Sequence, residues 1–257
     1  MGFHSYYWNN ASLPPELVAA LDQLNNIGLP VLEKTKAFYT LLESDSTEAR
    51  GIAMDRFSLY KSQERHGDVN RDFIRTVAPA VRAVARQELE APQYVRAEGG
   101  PVPRGANHAS ALNAIWHLGR AEDAPLVARV LMSNDAPGIL EVGLRAASST
   151  LFRERKIDPE LGRVLHGIAT NPQVAPELRR AALHAVGVSR ADEVTPWFVT
   201  ALADPVLEVA SAGGRLLLER DATRFRDMVA QVAASWPSEG KVPYDVSEVR
   251  RLLGQAG

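Results

Sequence analysis

The chain has 257 residues, an apolar fraction of 46% and a net charge of −2, so it can bury a substantial core and is not expected to be disordered. Acidic residues exceed basic ones by one in each half, 13 against 12 in residues 1–105 and 18 against 17 in residues 106–257. Nucleic-acid binders usually carry a basic surplus that neutralises phosphates, so a nucleic-acid partner is not expected.

The sequence contains no cysteine, which excludes disulfides, thiolate metal sites and cysteine nucleophiles. Residues 1–8 lack the basic start and apolar run of a signal peptide, and no stretch approaches the roughly 20 apolar residues of a membrane span. We therefore expect a cytoplasmic protein without membrane contact. The abundance of alanine and arginine suggests a bacterial source.

Helix-forming residues dominate the chain, and alternating β-branched runs are missing, which predicts an all-α protein of 12 or 13 helices. Ser46, Asp135 and Asp158 are predicted helix caps. The predicted helices span residues 14–26, 30–44, 47–63, 70–89, 107–119, 123–133, 137–154, 159–170, 175–187, 192–203, 206–220, 222–235 and 244–254.

A segment rich in proline and glycine, residues 91–106, interrupts the helices and divides the chain into a helical lobe at 1–90 and a second lobe at 107–257. A loop of this length is usually functional, although a solvated connector is the alternative. The last helix is expected to cap the second lobe. Four aromatic residues within 3–8 are expected to cap the end of the first helix pair, the alternative being a docking peptide.

A recurring register marks the second half of the chain. Counted from Pro125, Pro159, Pro196 and Thr223, apolar residues stand two, five and six positions later. They are Val127, Val130, Leu131, Leu161, Val164, Leu165, Phe198, Ala201, Leu202, Phe225, Met228 and Val229. These offsets share one face of a helix, which is predicted to be buried.

Small-residue segments at 111–115 and 182–186 lie at the same distance before Pro125 and Pro196, and the polar turns between them also match. Each unit is thus a small-residue helix, a short turn and a second helix, and the spacings of the second helices are 34, 37 and 27 residues. An amphipathic hairpin cannot cover its own apolar face, so its neighbours must stack on it.

Over about residues 106–235 this pattern resembles the armadillo-like HEAT-repeat family in its short bacterial form. The resemblance implies an α-solenoid of antiparallel helical hairpins whose second helices line the concave side. The 34-residue interval also fits tetratricopeptide repeats, but their tryptophan–leucine–glycine–tyrosine pattern is absent.

Catalytic motifs are missing. The histidines form no pair four residues apart and no His-Glu dipeptide, the motif by which HEAT-like hydroxylases of hypusine maturation bind iron. No nucleophile elbow, Walker A loop or dinucleotide fingerprint occurs, so neither a cofactor nor a metal is expected. The histidines are expected at the surface or between helices. Gly213 and Gly214 are expected to permit close helix packing.

The resemblance implies a concave face carrying Arg129, Arg163, His166, Thr200, Arg226 and Asp227. These residues suggest a non-enzymatic module, an adaptor, scaffold or toxin-immunity protein, that binds another protein.

The alternative is an enzyme or ligand-binding protein of the HEAT-like glycosylase or bilin-lyase type, which would use a groove between the lobes. Tyr94, Arg96 and Arg104 of the loop would then form a lid. The glycosylases use tryptophan, aspartate and arginine in a cationic groove; Trp116 and Trp197 are present, but the basic surplus is not. Trp197 is expected to serve packing.

Overall fold

The computed structural model describes residues 7–8, 13–26, 28–64, 70–95, 102–134 and 136–254. Within these ranges the protein contains twelve α-helices and no strand, which confirms the predicted all-α class. None of the helices in the described ranges is both long and apolar enough to cross a bilayer. The helices are α1 Pro15–Asn25, α2 Val31–Leu42, α3 Thr47–Gln63, α4 Arg71–Glu90, α5 Ala106–Leu118, α6 Ala124–Ser133, α7 Pro137–Thr150, α8 Pro159–Thr170, α9 Pro176–Gly187, α10 Thr195–Leu202, α11 Leu207–Ala233 and α12 Tyr244–Leu252.

The two helices predicted at 206–220 and 222–235 follow each other directly within α11. Asp221 separates them as predicted, because its backbone is not helical, with φ −157° and ψ 89°. The side chain of Asp221 accepts a hydrogen bond from the backbone N–H of Arg224, so it starts the second half of α11 as a cap would.

Side-chain caps fix two helix starts as predicted. Oδ1 of Asp158 accepts hydrogen bonds from the backbone N–H groups of Glu160 and Leu161 at 3.1 and 2.9 Å, which begins α8. The hydroxyl of Ser46 accepts one from Ala49 N at 3.2 Å, which begins α3. The third predicted cap, Asp135, lies outside the described residues.

The chain divides into two compact units, Met1–Thr150 and Leu151–Gly257. In the first unit the helices alternate between two layers: α3, α5 and α7 pack side by side, and α2, α4 and α6 form the other layer. Phe38 and Phe73 join α2 to α4 edge to face, with ring centroids 5.3 Å apart.

The boundary between the units differs from the predicted boundary at residues 91–106. Helix α5, which follows that segment, packs on α3 and α4, so the segment is a connector inside the first unit. Asn107 holds residues 92–94, in the described first part of this connector: its Oδ1 accepts from Tyr94 N at 2.8 Å, and its Nδ2 donates to Pro92 O at 3.1 Å.

In the second unit α9 packs on α8 and α11, α10 packs on α8 and α11, and α12 packs on α11. Gly213 allows the close approach of α11 to α10. A Cβ atom at this position would lie 2.7 Å from the backbone nitrogen of Leu202 and 2.8 Å from the carbonyl oxygen of Phe198. The predicted packing role of this glycine is confirmed.

The repeat register also agrees with the observed burial. Ten of the twelve positions at offsets two, five and six are buried, Val164 is half-buried, and Met228 is 43% exposed. The two matched turns each contain a short 3-10 turn, Ala121–Asp123 and Asp192–Val194, directly before a helix with proline in its first turn. The local pattern predicted from the sequence is therefore present in both units.

Candidate functional site

The residues predicted to bind a partner fall in several places. Arg129 is exposed on α6 in the first unit, whereas Arg163, His166 and Thr200 are exposed on α8 and α10 in the second. Arg96 lies outside the described residues. The predicted set is thus brought together in part, within the second unit.

Helices α8 and α10 form the most complete of these sites, which we call the α8/α10 face and define by Arg163, His166, Trp197 and Thr200. The rings of His166 and Trp197 meet edge to face with centroids 4.8 Å apart. Arg163 precedes His166 by three positions on α8, and Thr200 follows Trp197 by three on α10, so each pair shares one side of its helix.

Local sequence positions Trp197 on this face. Its neighbour Phe198 is completely buried, so Trp197, about 100° away around α10, lies at the boundary of the core and is half-buried. Gly162 of α8 lies beside the indole, since a Cβ atom there would be in ordinary contact with the ring at 3.9 Å. The expectation that Trp197 only packs is therefore incomplete: part of the indole faces solvent.

The α8/α10 face combines a cation, an imidazole, an indole and a hydroxyl. The Thr200 hydroxyl donates to the carbonyl of Pro196 at 3.1 Å, which leaves its oxygen able to accept a further bond. Tryptophan and arginine are enriched where binding energy concentrates in protein interfaces.

Arg226 and Asp227 follow each other in the second half of α11, and both are exposed. The Arg226 guanidinium donates to the carbonyl of Leu253 at 2.6 Å and so satisfies a backbone group at the end of α12. This arginine has a structural task in the described chain, whereas Asp227 presents its carboxylate to solvent.

The described loop residues are bound to the first unit. The Tyr94 hydroxyl donates to Oε1 of Glu48 at 2.5 Å, and Nε of Arg104 donates to Oε1 of Gln93 at 2.8 Å. Gln93 in turn donates to Ser133 O and Asn134 Oδ1. These residues border a shallow cleft of about 530 Å³ lined by Gln93, Arg104, Met132, Ser133, Asn134 and Ala136.

A charged cluster that the sequence reasoning missed centres on Asp245, which is 1% exposed. Its carboxylate accepts from Arg215 at 2.9 Å and contacts His184 Nε2 at 3.2 Å. Burial raises the pKa of Asp245, but the hydrogen bond and charge of His184, and then those of Arg215, outweigh it and hold the pKa below its ordinary value. No sequence spacing reveals this cluster, since 61 residues separate His184 from Asp245.

Comparison with models of known protein families finds no match, and comparison with curated proteins finds none either. In the described ranges, no group of three or more histidines and acidic residues is arranged to hold a metal ion. The α8/α10 face carries three of the nine predicted residues, Arg163, His166 and Thr200, together with Trp197.

Proposed function

We propose that this protein is a protein-binding module of the HEAT-like solenoid type, and that the α8/α10 face contacts its partner. The observation that carries the proposal is the contact of His166 with the ring of the half-buried Trp197, with exposed Arg163 one turn before the histidine. An indole fixed in place by a neighbouring ring binds at a low cost in side-chain entropy.

The repeat architecture supports a binding role. The burial of the repeated apolar positions agrees with hairpins that cover one another, and stacked repeats characteristically use their continuous surface for recognition. Alternate helices of the first unit pack in two layers, as they do in hairpin repeats. A two-layer stack leaves the outer sides of its helices available to a partner.

The chemistry of the face favours a protein over a nucleic acid. A single arginine beside an indole suits the carboxylates and apolar side chains of a protein surface, whereas a phosphate backbone calls for a row of cations. The chain as a whole carries a charge of −2. We propose an adaptor, scaffold or toxin-immunity role in the cytoplasm of a bacterium.

The test compares variants on the face with matched variants elsewhere in the second unit. Arg163→Glu and Trp197→Ala alter the face, and the controls Arg155→Glu and Phe152→Ala make similar changes at exposed positions of the preceding turn. Affinity-tagged chains are purified from cells of the native host.

We expect the wild type and both controls to retain a stoichiometric protein partner. Retention should fall by at least about 30-fold in Arg163→Glu and Trp197→Ala, the loss typical of hot-spot residues. Equal retention by all variants would exclude the α8/α10 face. Repeated failure of the wild type to recover any stoichiometric protein would count against the binding role itself.

A further inference from the structure

Trp8 is inserted into the first unit. Its side chain is 3% exposed although the residue belongs to no helix, and its indole N–H donates to the hydroxyl oxygen of Ser110 on α5 at 2.8 Å. The ring of Tyr94 lies against it at a centroid distance of 5.5 Å and a tilt of 58°. Of the four aromatic residues predicted to cap the first helix pair, Phe3 and Tyr6 lie outside the described residues, and Trp8 lies in a groove between α3 and α5.

The groove is shaped for an indole. Gly51 of α3 lies directly beneath the ring: a Cβ atom there would be 2.3 Å from Cζ2 and 2.7 Å from Nε1 of Trp8. Real side-chain atoms do not approach so closely, so the ring occupies space that only glycine leaves free. Ser110 supplies the acceptor that a buried indole N–H requires.

Trp8 forms a small hydrophobic cluster of its own with Ile52, Val102 and Ala106, and Tyr7, Leu13, Leu21 and Tyr94 pack around it. Tyr94 and Val102 lie on either side of the connector between α4 and α5. The indole therefore contacts two helices and both described arms of that connector. Satellite clusters of this kind under loops are separate from the main core.

The preceding residue extends the contact to α7. The Tyr7 hydroxyl lies 3.4 Å from the position of a Cβ atom at Gly138, near the start of that helix. Burial, followed by the charges of Asp55 and Glu141, raises the pKa of Tyr7, so the phenol stays neutral and able to donate. Residues 7–8 thus lie along three neighbouring helices of one layer.

We propose that the groove between α3 and α5 is a peptide-binding site for a segment that presents a tryptophan, and that Trp8 is its resident ligand. A partner segment with an exposed tryptophan enters the same groove when Trp8 leaves it. The proposal is independent of the α8/α10 face, which lies in the other unit.

Two features suit a tryptophan. Its indole N–H donates to Ser110, which phenylalanine cannot do, and its six-membered ring fills the space above Gly51. Because Trp8 is covalently attached, it competes at an effective concentration on the order of millimolar. The wild-type chain therefore admits only a partner that binds more tightly than its own segment.

The experiment supplies the segment in trans. The full-length Trp8→Ala variant is titrated with a labelled peptide of residues 1–12, and binding is followed by fluorescence anisotropy and by the unfolding temperature of the protein. We expect saturable binding and a rise in unfolding temperature, because a ligand that binds only the folded state stabilises it. The wild type should bind the peptide at least about 10-fold more weakly, since Trp8 occupies the groove.

Two second-site variants test the groove. Adding Gly51→Ala to Trp8→Ala places a methyl group where the indole must lie and should abolish binding while leaving the helix intact. Adding Ser110→Ala should weaken binding about 2- to 10-fold through loss of one hydrogen bond.

A peptide with alanine in place of tryptophan is the ligand control. Equal binding of the two peptides, or no binding and no stabilisation by the tryptophan peptide, overturns the proposal. If Trp8→Ala alone unfolds, the unfolding temperature is replaced by recovery of the helical circular dichroism signal on adding peptide. Failure of the tryptophan peptide to restore that signal also overturns the proposal.

Discussion

The buried carboxylate of Asp245, at the start of α12, accepts a hydrogen bond from Nη1 of Arg215 on α11 at 2.9 Å. His184 of α9 contacts the other carboxylate oxygen at 3.2 Å, so one acidic side chain joins three helices of the second unit. The carboxylate is 1% exposed, whereas Arg215 and His184 keep a quarter to a third of their side chains in solvent. The anion is therefore desolvated, whereas the guanidinium of Arg215 keeps contact with water.

Substitution Asp245→Asn should lower the free energy of unfolding by about 2–3 kcal/mol, because the amide keeps the shape but replaces one of two buried acceptor oxygens with a donor and weakens the charge-assisted hydrogen bond from Arg215. Urea unfolding followed by circular dichroism measures the loss. The stabilisation by Asp245 should decrease at acidic pH. The pKa of Asp245 is lowered in the folded protein, so its contribution is complete above about pH 4, the ordinary range of an aspartate, and is lost as the pH falls through the folded pKa.

The difference in unfolding free energy between wild type and Asp245→Asn should therefore shrink on acidification below about pH 4. The control is Asp227→Asn, which removes a carboxylate from an exposed position of α11. A difference that stays constant down to acid unfolding would contradict the cause assigned to the lowered pKa.

The sequence predicts local structure well here and long-range contacts poorly. Helix bounds, the caps Ser46 and Asp158, and the buried register depend on neighbours within a few positions, so periodicity reveals them. The contacts of Asp245 with His184 and of Trp8 with Ser110 join residues 61 and 102 positions apart. No periodic pattern encodes such pairs. Met228 fits the register but is exposed, because a helical offset specifies a face and not whether a neighbour covers it.

The candidate site was predictable to a similar extent. Arg163, His166 and Thr200 follow from the offsets, since residues between buried positions must face outward. The part played by Trp197 depends on the distance between α8 and α10, which the sequence of either helix alone does not fix.

A second buried carboxylate, Asp123, should be as important to the first unit. It is 0% exposed and bonds to Arg82 and Arg86 of α4, and it accepts from the backbone N–H of Arg120 at 2.9 Å. Asp123→Asn should cost about 2–3 kcal/mol of unfolding free energy, measured by urea titration. Its neighbour Glu122 provides the matched control: Glu122→Gln breaks an exposed bond to Arg82 and should cost less than about 1 kcal/mol. Equal losses of unfolding free energy in Asp123→Asn and Glu122→Gln would show that the burial of Asp123 does not make its ion pairs more important than the exposed one.

Substitution by alanine should lower the stability of the fold at one helical glycine, Gly213, and raise it at another, Gly167. Gly213→Ala places a methyl group 2.7 Å from the backbone nitrogen of Leu202, so α10 and α11 must separate, at a cost of about 1–3 kcal/mol. Gly167, on α8, has no atom within 4 Å of its added Cβ, and Gly167→Ala should raise stability by about 1 kcal/mol through helix propensity. The unfolding temperatures of the two variants, compared with that of the wild type, test this prediction. Stabilisation by both would mean that α11 shifts without cost.

Because of Lys34, the stability of the protein should increase as the pH rises in the alkaline range. The residue is 7% exposed, and its ammonium lies 4.1 Å from the ring centroid of Tyr60 and donates to Oδ1 of Asn70 at 2.8 Å. Burial lowers the pKa of Lys34, so between the folded pKa and the ordinary value near about 10.4 the unfolded chain holds a proton that the folded chain has lost. Raising the pH through that interval therefore favours the folded state.

Substitution Lys34→Met keeps the aliphatic stem and removes the titrating group. At neutral pH the wild type and Lys34→Met should differ by less than about 1 kcal/mol, because the lost cation–π contact and hydrogen bond are offset by removal of a buried charge. As the pH rises toward about 10, the wild type should gain stability relative to the variant. Tyr60 does not obscure the comparison, since it is common to both proteins and burial raises its pKa. Lys36→Met, at an exposed position of α2, is the control and should run parallel to the wild type. If the stability of Lys34→Met also changed with pH in the same way as that of the wild type, the lowered pKa of Lys34 would be refuted.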